Sequence, residues 1–201
     1  MRINVSEQKV ELKDIKLLPN LWTSVQFITL PLMIYFAWMQ NFKLFITFYL
    51  LTFFIDSTDG IMARYFGLTS KLGMYLDTYL DFAMYLSVAV CLYWFMPEFL
   101  SSYVIFLVVI FLVTVVSRVY SVVRFGRALM LHLYSSKLMY GLLTLFIAHY
   151  YFTRLASDVL FIILLIDAAI FVVEEFLIVM LLKTPREDIL TVWDVLSGKK
   201  S

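Results

Sequence analysis

Six runs of this chain stay apolar over roughly the 20 residues that a helix needs to cross the hydrocarbon layer of a bilayer. They are Leu21–Met39, Phe42–Met62, Leu72–Met96, Ser102–Val123, Leu138–Phe152 and Val159–Leu182; the fifth is short and holds Gly141 and His149. An outer-membrane barrel would show short alternating segments instead. These runs are continuous, so helices are expected. Of 201 residues, 63% are hydrophobic and 15% charged, with mean hydropathy +0.90. Soluble domains are nearer half apolar and a quarter charged, and a chain of this size cannot bury so much apolar surface. A soluble globule, a disordered chain and a collagen-like fibre are therefore excluded. The expectation is an all-α integral membrane protein with six transmembrane helices.

The connections set the orientation. With the N-terminus in the cytosol, every Lys and Arg except Lys43 and Arg154 falls on the inner side. The positive-inside rule then places both termini in the cytosol. The expected organisation is an N-terminal cytosolic segment over 1–20, a membrane domain over 21–183 and a cytosolic tail over 184–201. The first segment lacks a continuous apolar core, so no cleavable signal peptide is read. Lys9, Lys13 and Lys16 share one helical face, opposite Glu7, Glu11 and Asp14, as in a short surface helix. The tail is polar and expected at the surface, with Trp193 either an interfacial anchor or local packing. A net charge of +1 gives no pull toward nucleic acid, and Cys91 alone cannot form an intrachain disulfide.

Four carboxylates sit where the apolar pattern should exclude them. Asp56 and Asp59 lie in the second run, Asp77 and Asp81 in the third. One charged residue inside a span costs ~2.5–3.5 kcal/mol on insertion scales, and four of one sign also repel each other. A divalent cation is the natural compensation. Asp56 and Asp59 are i, i+3, and Asp77 and Asp81 are i, i+4, so each pair shares a helix face. The short connection between the two helices makes them antiparallel neighbours, which lets all four converge near the cytosolic surface. Hard oxygen donors suit Mg²⁺ or Mn²⁺ rather than Zn²⁺. Gly60, Ala63 and Gly73 leave room beside the backbone, either for close helix packing or for a ligand. Arg64, at the membrane boundary, is an anchor or a phosphate contact.

These residues spell Asp56-Ser-Thr-Asp59-Gly60-Ile-Met-Ala63-Arg64, eight residues, then Gly73-Met-Tyr-Leu-Asp77-Thr-Tyr-Leu-Asp81. The string resembles the signature of the CDP-alcohol phosphotransferases, D-x2-D-G-x2-A-R-x8-G-x3-D-x3-D, at every specified position. Pro19-Asn20-Leu-Trp-Thr23 is similar to the element that opens the first helix in many members. The resemblance implies transfer of a phosphatidyl group from a CDP-linked lipid to the hydroxyl of a small alcohol, with release of CMP. It also implies that Asp56, Asp59, Asp77 and Asp81 hold the metal, with Asp81 taking the acceptor's proton. Gly60, Ala63, Arg64, Ser70 and Gly73 would line the cytidine diphosphate pocket, closed by Asn20 and Thr23. A homodimer is implied as well.

Around this motif, Arg118, Arg124 and Lys137 are candidate acceptor contacts. Arg118 lies some way into its span, so it needs snorkelling or a polar pocket. A cationic pocket favours an acceptor bearing its own phosphate, such as glycerol 3-phosphate or an inositol phosphate, over inositol or serine. Gln26, Thr78 and Phe82 depart from the residues common in glycerol-phosphate members. Asp167, Glu174 and Glu175 in the last run are expected to pair with Arg118 or Arg124 and hold that helix to the bundle. His132 and His149 have no metal-ligand partners in sequence and are expected to pack or to sit at the membrane interface rather than bind metal. The competing reading from a different class is a divalent-cation transporter that uses the same carboxylates as a pathway. Against it, no comparable chain of acids leads to the outer face.

Overall fold

In the computed structural model, each of the six apolar runs is one long helix. The structure describes residues 17–65, 71–126, 129, 131, 133–185 and 189–197. For 17–24, 56, 57, 59–65, 71–79 and 81 it describes the backbone alone. The expected surface helix before Pro19 lies outside these residues apart from its last positions, as do Ser70 and His132. The long helices are α1 (Leu17–Trp38), α2 (Phe42–Tyr65), α3 (Lys71–Phe95), α5 (Val104–Phe125), α6 (Tyr134–Thr153) and α7 (Asp158–Leu181). Two short helices accompany them, α4 (Pro97–Ser101) and α8 (Val192–Leu196). No strand occurs among the described residues. Among those same residues, Val104–Phe125 is the stretch both long and apolar enough to cross a membrane; Val25–Trp38, Phe42–Ile55 and Phe82–Phe95 are shorter apolar stretches.

The chain divides into two compact units, Met1–Cys91 and Leu92–Ser201. In the first, α1 packs on α2. Their turn uses Gln40 in the left-handed region at φ 56°. Asn41 then caps α2, its Oδ1 accepting from the Leu44 N–H at 3.1 Å, which satisfies one of the free donors at a helix start. Met33, Ala37, Phe45 and Tyr49 are fully buried. The Thr52 hydroxyl donates to the Thr29 hydroxyl at 2.8 Å across the two helices, so polar side chains within the apolar stretches find each other. On α3, Leu80, Met84, Val88 and Cys91 are buried; that spacing is one helical stripe.

In the second unit α7 is the centre, packed against α5, α6 and α8. Ser157 caps its start by accepting from the Leu160 N–H. The Tyr103 hydroxyl, just before α5, donates to Asp158 at the start of α7 at 2.7 Å, and Arg118 meets Glu175 further along both helices. The two helices therefore run parallel. Between them in sequence, α6 runs the other way: Phe146 near its end packs on Phe161, and Ser135 near its start meets Glu174. Phe99, Tyr103, Phe146 and Phe161 form an aromatic cluster at one end.

The opposite end combines an apolar core with a polar framework. Leu129, Leu131 and Leu133 from the α5–α6 connection are buried with Phe171, Val172, Ile178, Val179 and Leu182 of the α7 region. Gly126 ends α5 at φ 72°, the left-handed conformation that lets the chain turn off the helix. Ile189 joins this core at 3% exposure, so the segment after α7 is not purely surface as its polarity suggested. Trp193, in contrast, is exposed.

The Arg118–Glu175 pair yields a stability prediction. Removing one partner of a buried pair leaves an uncompensated charge, which costs about 3–5 kcal/mol. Arg118→Met is expected to lower the unfolding temperature in detergent markedly. Arg118→Met with Glu175→Leu is expected to recover part of that loss, because both charges are gone while the Leu129 carbonyl still lacks the donor that Arg118 supplied.

Candidate functional site

The aspartate motif straddles the connection between α2 and α3. The α2 backbone is helical through Asp56, Asp59, Gly60, Ala63 and Arg64, all within its last three turns. Helical backbone resumes at Lys71 and carries Gly73, Asp77 and Asp81 within the first turns of α3. The register assumed for the two carboxylate pairs is therefore present in the backbone: i, i+3 at the end of one helix and i, i+4 at the start of the next. All four aspartates belong to the first unit. Their side chains, and those of Ala63 and Arg64, lie outside the described ones, Gly60 and Gly73 are described as backbone, and Ser70 lies outside altogether. Asn20 and Thr23 occupy the first turns of α1, again as backbone. Among the described residues no group of three or more His, Cys, Asp or Glu is placed to hold a metal ion. The donor set of the motif is chemically suited to one: four carboxylates, all oxygen donors, on two consecutive helices.

Arg118, Arg124 and Lys137 belong to the second unit, and their side chains are described. Arg118 Nη2 lies 2.9 Å from Glu175 Oε1, with side-chain exposures of 28% and 2%. Its Nη1 donates to the Leu129 carbonyl at 2.8 Å. Arg118 therefore has polar partners within the protein, and the expected pairing of the last long helix with Arg118 is present through Glu175. Arg124 Nη1 donates to the carbonyls of Val179 at 3.0 Å and Met180 at 2.5 Å. It thereby satisfies acceptors near the C-terminus of α7, where helix carbonyls lack partners and cations are favoured. The Lys137 ammonium sits 5.6 Å from the Tyr134 ring centroid, in cation–π contact, and Lys137 is exposed. Both arginines thus hold the protein together at these positions.

Glu174 takes a different role from its neighbour. Its Oε2 accepts from the Ser135 hydroxyl at 2.8 Å, and its Oε1 accepts from the Val192 N–H at 3.0 Å. It ties α6 and α8 to α7. The Ser121 hydroxyl oxygen accepts from the Leu129 N–H at 3.0 Å, so both backbone groups of Leu129 are bound by side chains of α5. Asp167 is buried, and its Oδ2 has no hydrogen-bond partner among the described residues. The Glu174 and Ser121 roles were not anticipated. A partial signal existed: Thr191-x-x-Asp194 has capping-box spacing, and that box is formed in α8.

Glu174→Leu removes an acceptor from Ser135 and from Val192, two half-buried donors, so the loss is nearer the ~0.5–1.5 kcal/mol of an ordinary hydrogen bond than the cost of a fully buried unsatisfied group. Hydrogen exchange at Val192 is expected to accelerate strongly in Glu174→Leu and only weakly in Glu174→Gln, which retains an acceptor oxygen. Mass-spectrometric exchange in detergent measures both.

The family profile described as CDP-alcohol phosphatidyltransferase matches residues 16–182. No curated protein and no solved structure matches the chain.

Proposed function

The chain belongs to the CDP-alcohol phosphatidyltransferase family, and we propose that it transfers the phosphatidyl group of CDP-diacylglycerol to the hydroxyl of a small polar alcohol, releasing CMP. The observation that carries this reading is the complete aspartate signature, from Asp56 to Asp81, set on two helical backbones joined by a short connection. In the reaction the acceptor oxygen forms a new bond to the phosphatidyl phosphorus. The bond from that phosphorus to the CMP oxygen breaks, and CMP leaves with the electron pair.

Each residue has a task in this reading. Asp56, Asp59, Asp77 and Asp81 hold Mg²⁺ or Mn²⁺. The bound ion supplies neutralisation of the diphosphate charge and orientation of the leaving group. Asp81 takes the proton of the acceptor hydroxyl. Gly60, Ala63, Gly73 and Ser70 give the nucleotide close access to the backbone, Arg64 meets the diphosphate, and Asn20 and Thr23 close the pocket. Lys137, Arg118 and Arg124 favour an acceptor with its own phosphate. The six long helices cross the membrane, both termini face the cytosol, and so does the site; in a prokaryote this is the cytoplasmic membrane. That depth leaves acyl chains in lipid while nucleotide and acceptor arrive from water. The working unit is a homodimer.

Purified protein in lipid is expected to release CMP from CDP-diacylglycerol only with a polar alcohol and Mg²⁺ or Mn²⁺ present, and chelation is expected to stop it. Asp81→Asn should slow release by ~10²–10⁴-fold, the usual worth of a positioned base. No CMP release across a panel of phosphorylated and neutral alcohols would overturn the reading. Lys137→Met is expected to raise KM for a phosphorylated acceptor with little change in kcat; an unchanged KM removes Lys137 from the acceptor contacts.

A further inference from the structure

The segment after α7 does not leave the bundle; it folds back along it. The Val192 N–H, at the first residue of α8, donates to Glu174, seven residues before α7 ends at Leu181. At the helical rise of 1.5 Å per residue that is about 10 Å back from the end of the helix. The Tyr134 N–H donates to the Leu190 carbonyl at 3.2 Å, fixing the same segment to the start of α6. Val192 and Val195 pack against the core built around Leu129, Ile178 and Val179. The Thr191–Asp194 capping box satisfies the start of α8. Two large apolar side chains remain on the other side, Trp193 at 72% exposure and Leu196 at 59%.

What lies beside them decides the occupant. The last turns of α7 also expose apolar side chains, at Leu177, Met180 and Leu181, so Trp193 and Leu196 stand at a depth where the helix surface is still apolar. Just beyond, Lys183 is exposed, as the cationic flank of a span should be. A tryptophan prefers the headgroup–acyl boundary, where its ring is in apolar surroundings and its N–H is wet. A short helix with its polar groups satisfied and its apolar side turned out can lie in that plane. We propose that α8 is an interfacial foot: Trp193 and Leu196 insert into the headgroup–acyl boundary of the membrane that the chain itself spans. This rests on α7 being a span, but not on the phosphatidyl-transfer chemistry.

The test uses the full chain in nanodiscs, with Trp22, Trp38 and Trp94 replaced by Phe so that Trp193 alone fluoresces. Its emission is expected to be blue-shifted from that of free tryptophan. Lipids brominated high on the acyl chain should remove most of it, and aqueous iodide should quench it several-fold less than free tryptophan. Strong iodide quenching without bromolipid quenching places the ring in water and overturns the proposal. Quenching by neither agent means that protein, such as a second copy, covers it, and overturns the proposal equally. If the triple replacement does not fold, a spin label at Leu196→Cys serves, since the native Cys91 is buried. Greater accessibility to oxygen than to a water-soluble nickel chelate is then expected, and the reverse order overturns the foot. CMP release by the unlabelled wild-type chain in the same discs is scored separately, so failure of the foot and failure of the transfer reaction are distinguishable.

Discussion

A backbone amide or carbonyl in hydrocarbon finds no water, so each must be satisfied from within the chain. Helices meet that demand along their length and fail it at their ends and connections. The second unit shows how this sequence answers where helix stops. Leu129, in the connection after α5, has its N–H bound by Ser121 and its carbonyl by Arg118. The carbonyls near the end of α7 are bound by Arg124, and the first N–H of α8 by Glu174. The polar side chains of these apolar helices are concentrated where the main chain needs partners.

That concentration gives the charged residues here a structural explanation alongside the functional one. Glu175 balances Arg118 at 2.9 Å, and Arg124 also lies against the rings of Tyr120 and Phe125. A guanidinium with its donors on carbonyls and a carboxylate is already oriented, and any phosphate it meets must compete with those partners. Lys137 is exposed and its ammonium lies beside the Tyr134 ring, so among the described residues it meets no carbonyl or carboxylate that would compete with an anion.

The six-helix pattern was legible because apolar runs of span length admit few alternatives, and the helix limits fall within a few residues of the run limits at most ends. The aspartate signature was legible for a different reason: four acids in apolar runs of sequence are expensive enough to demand an explanation. The pairing of Arg118 was foreseen in kind. Its partner among Glu174 and Glu175 was not, because a one-residue step on a helix turns a side chain by about 100° and sends the two glutamates to different neighbours. The return of Ile189 into the core was hidden by its polar surroundings in sequence, including Arg186, Glu187 and Asp188. Nothing local marks one isoleucine as buried; the space between Leu129 and Val179 does.

Those adjacent glutamates have a mechanical consequence. One reaches α5 through Arg118, while the other reaches α6 through Ser135 and α8 through Val192. Sliding α7 by a single turn, about 5.4 Å, or rolling it about its axis would strand both carboxylates in the same movement. The last long helix is therefore keyed in register and in rotation at one level, and its neighbours are obliged to travel with it.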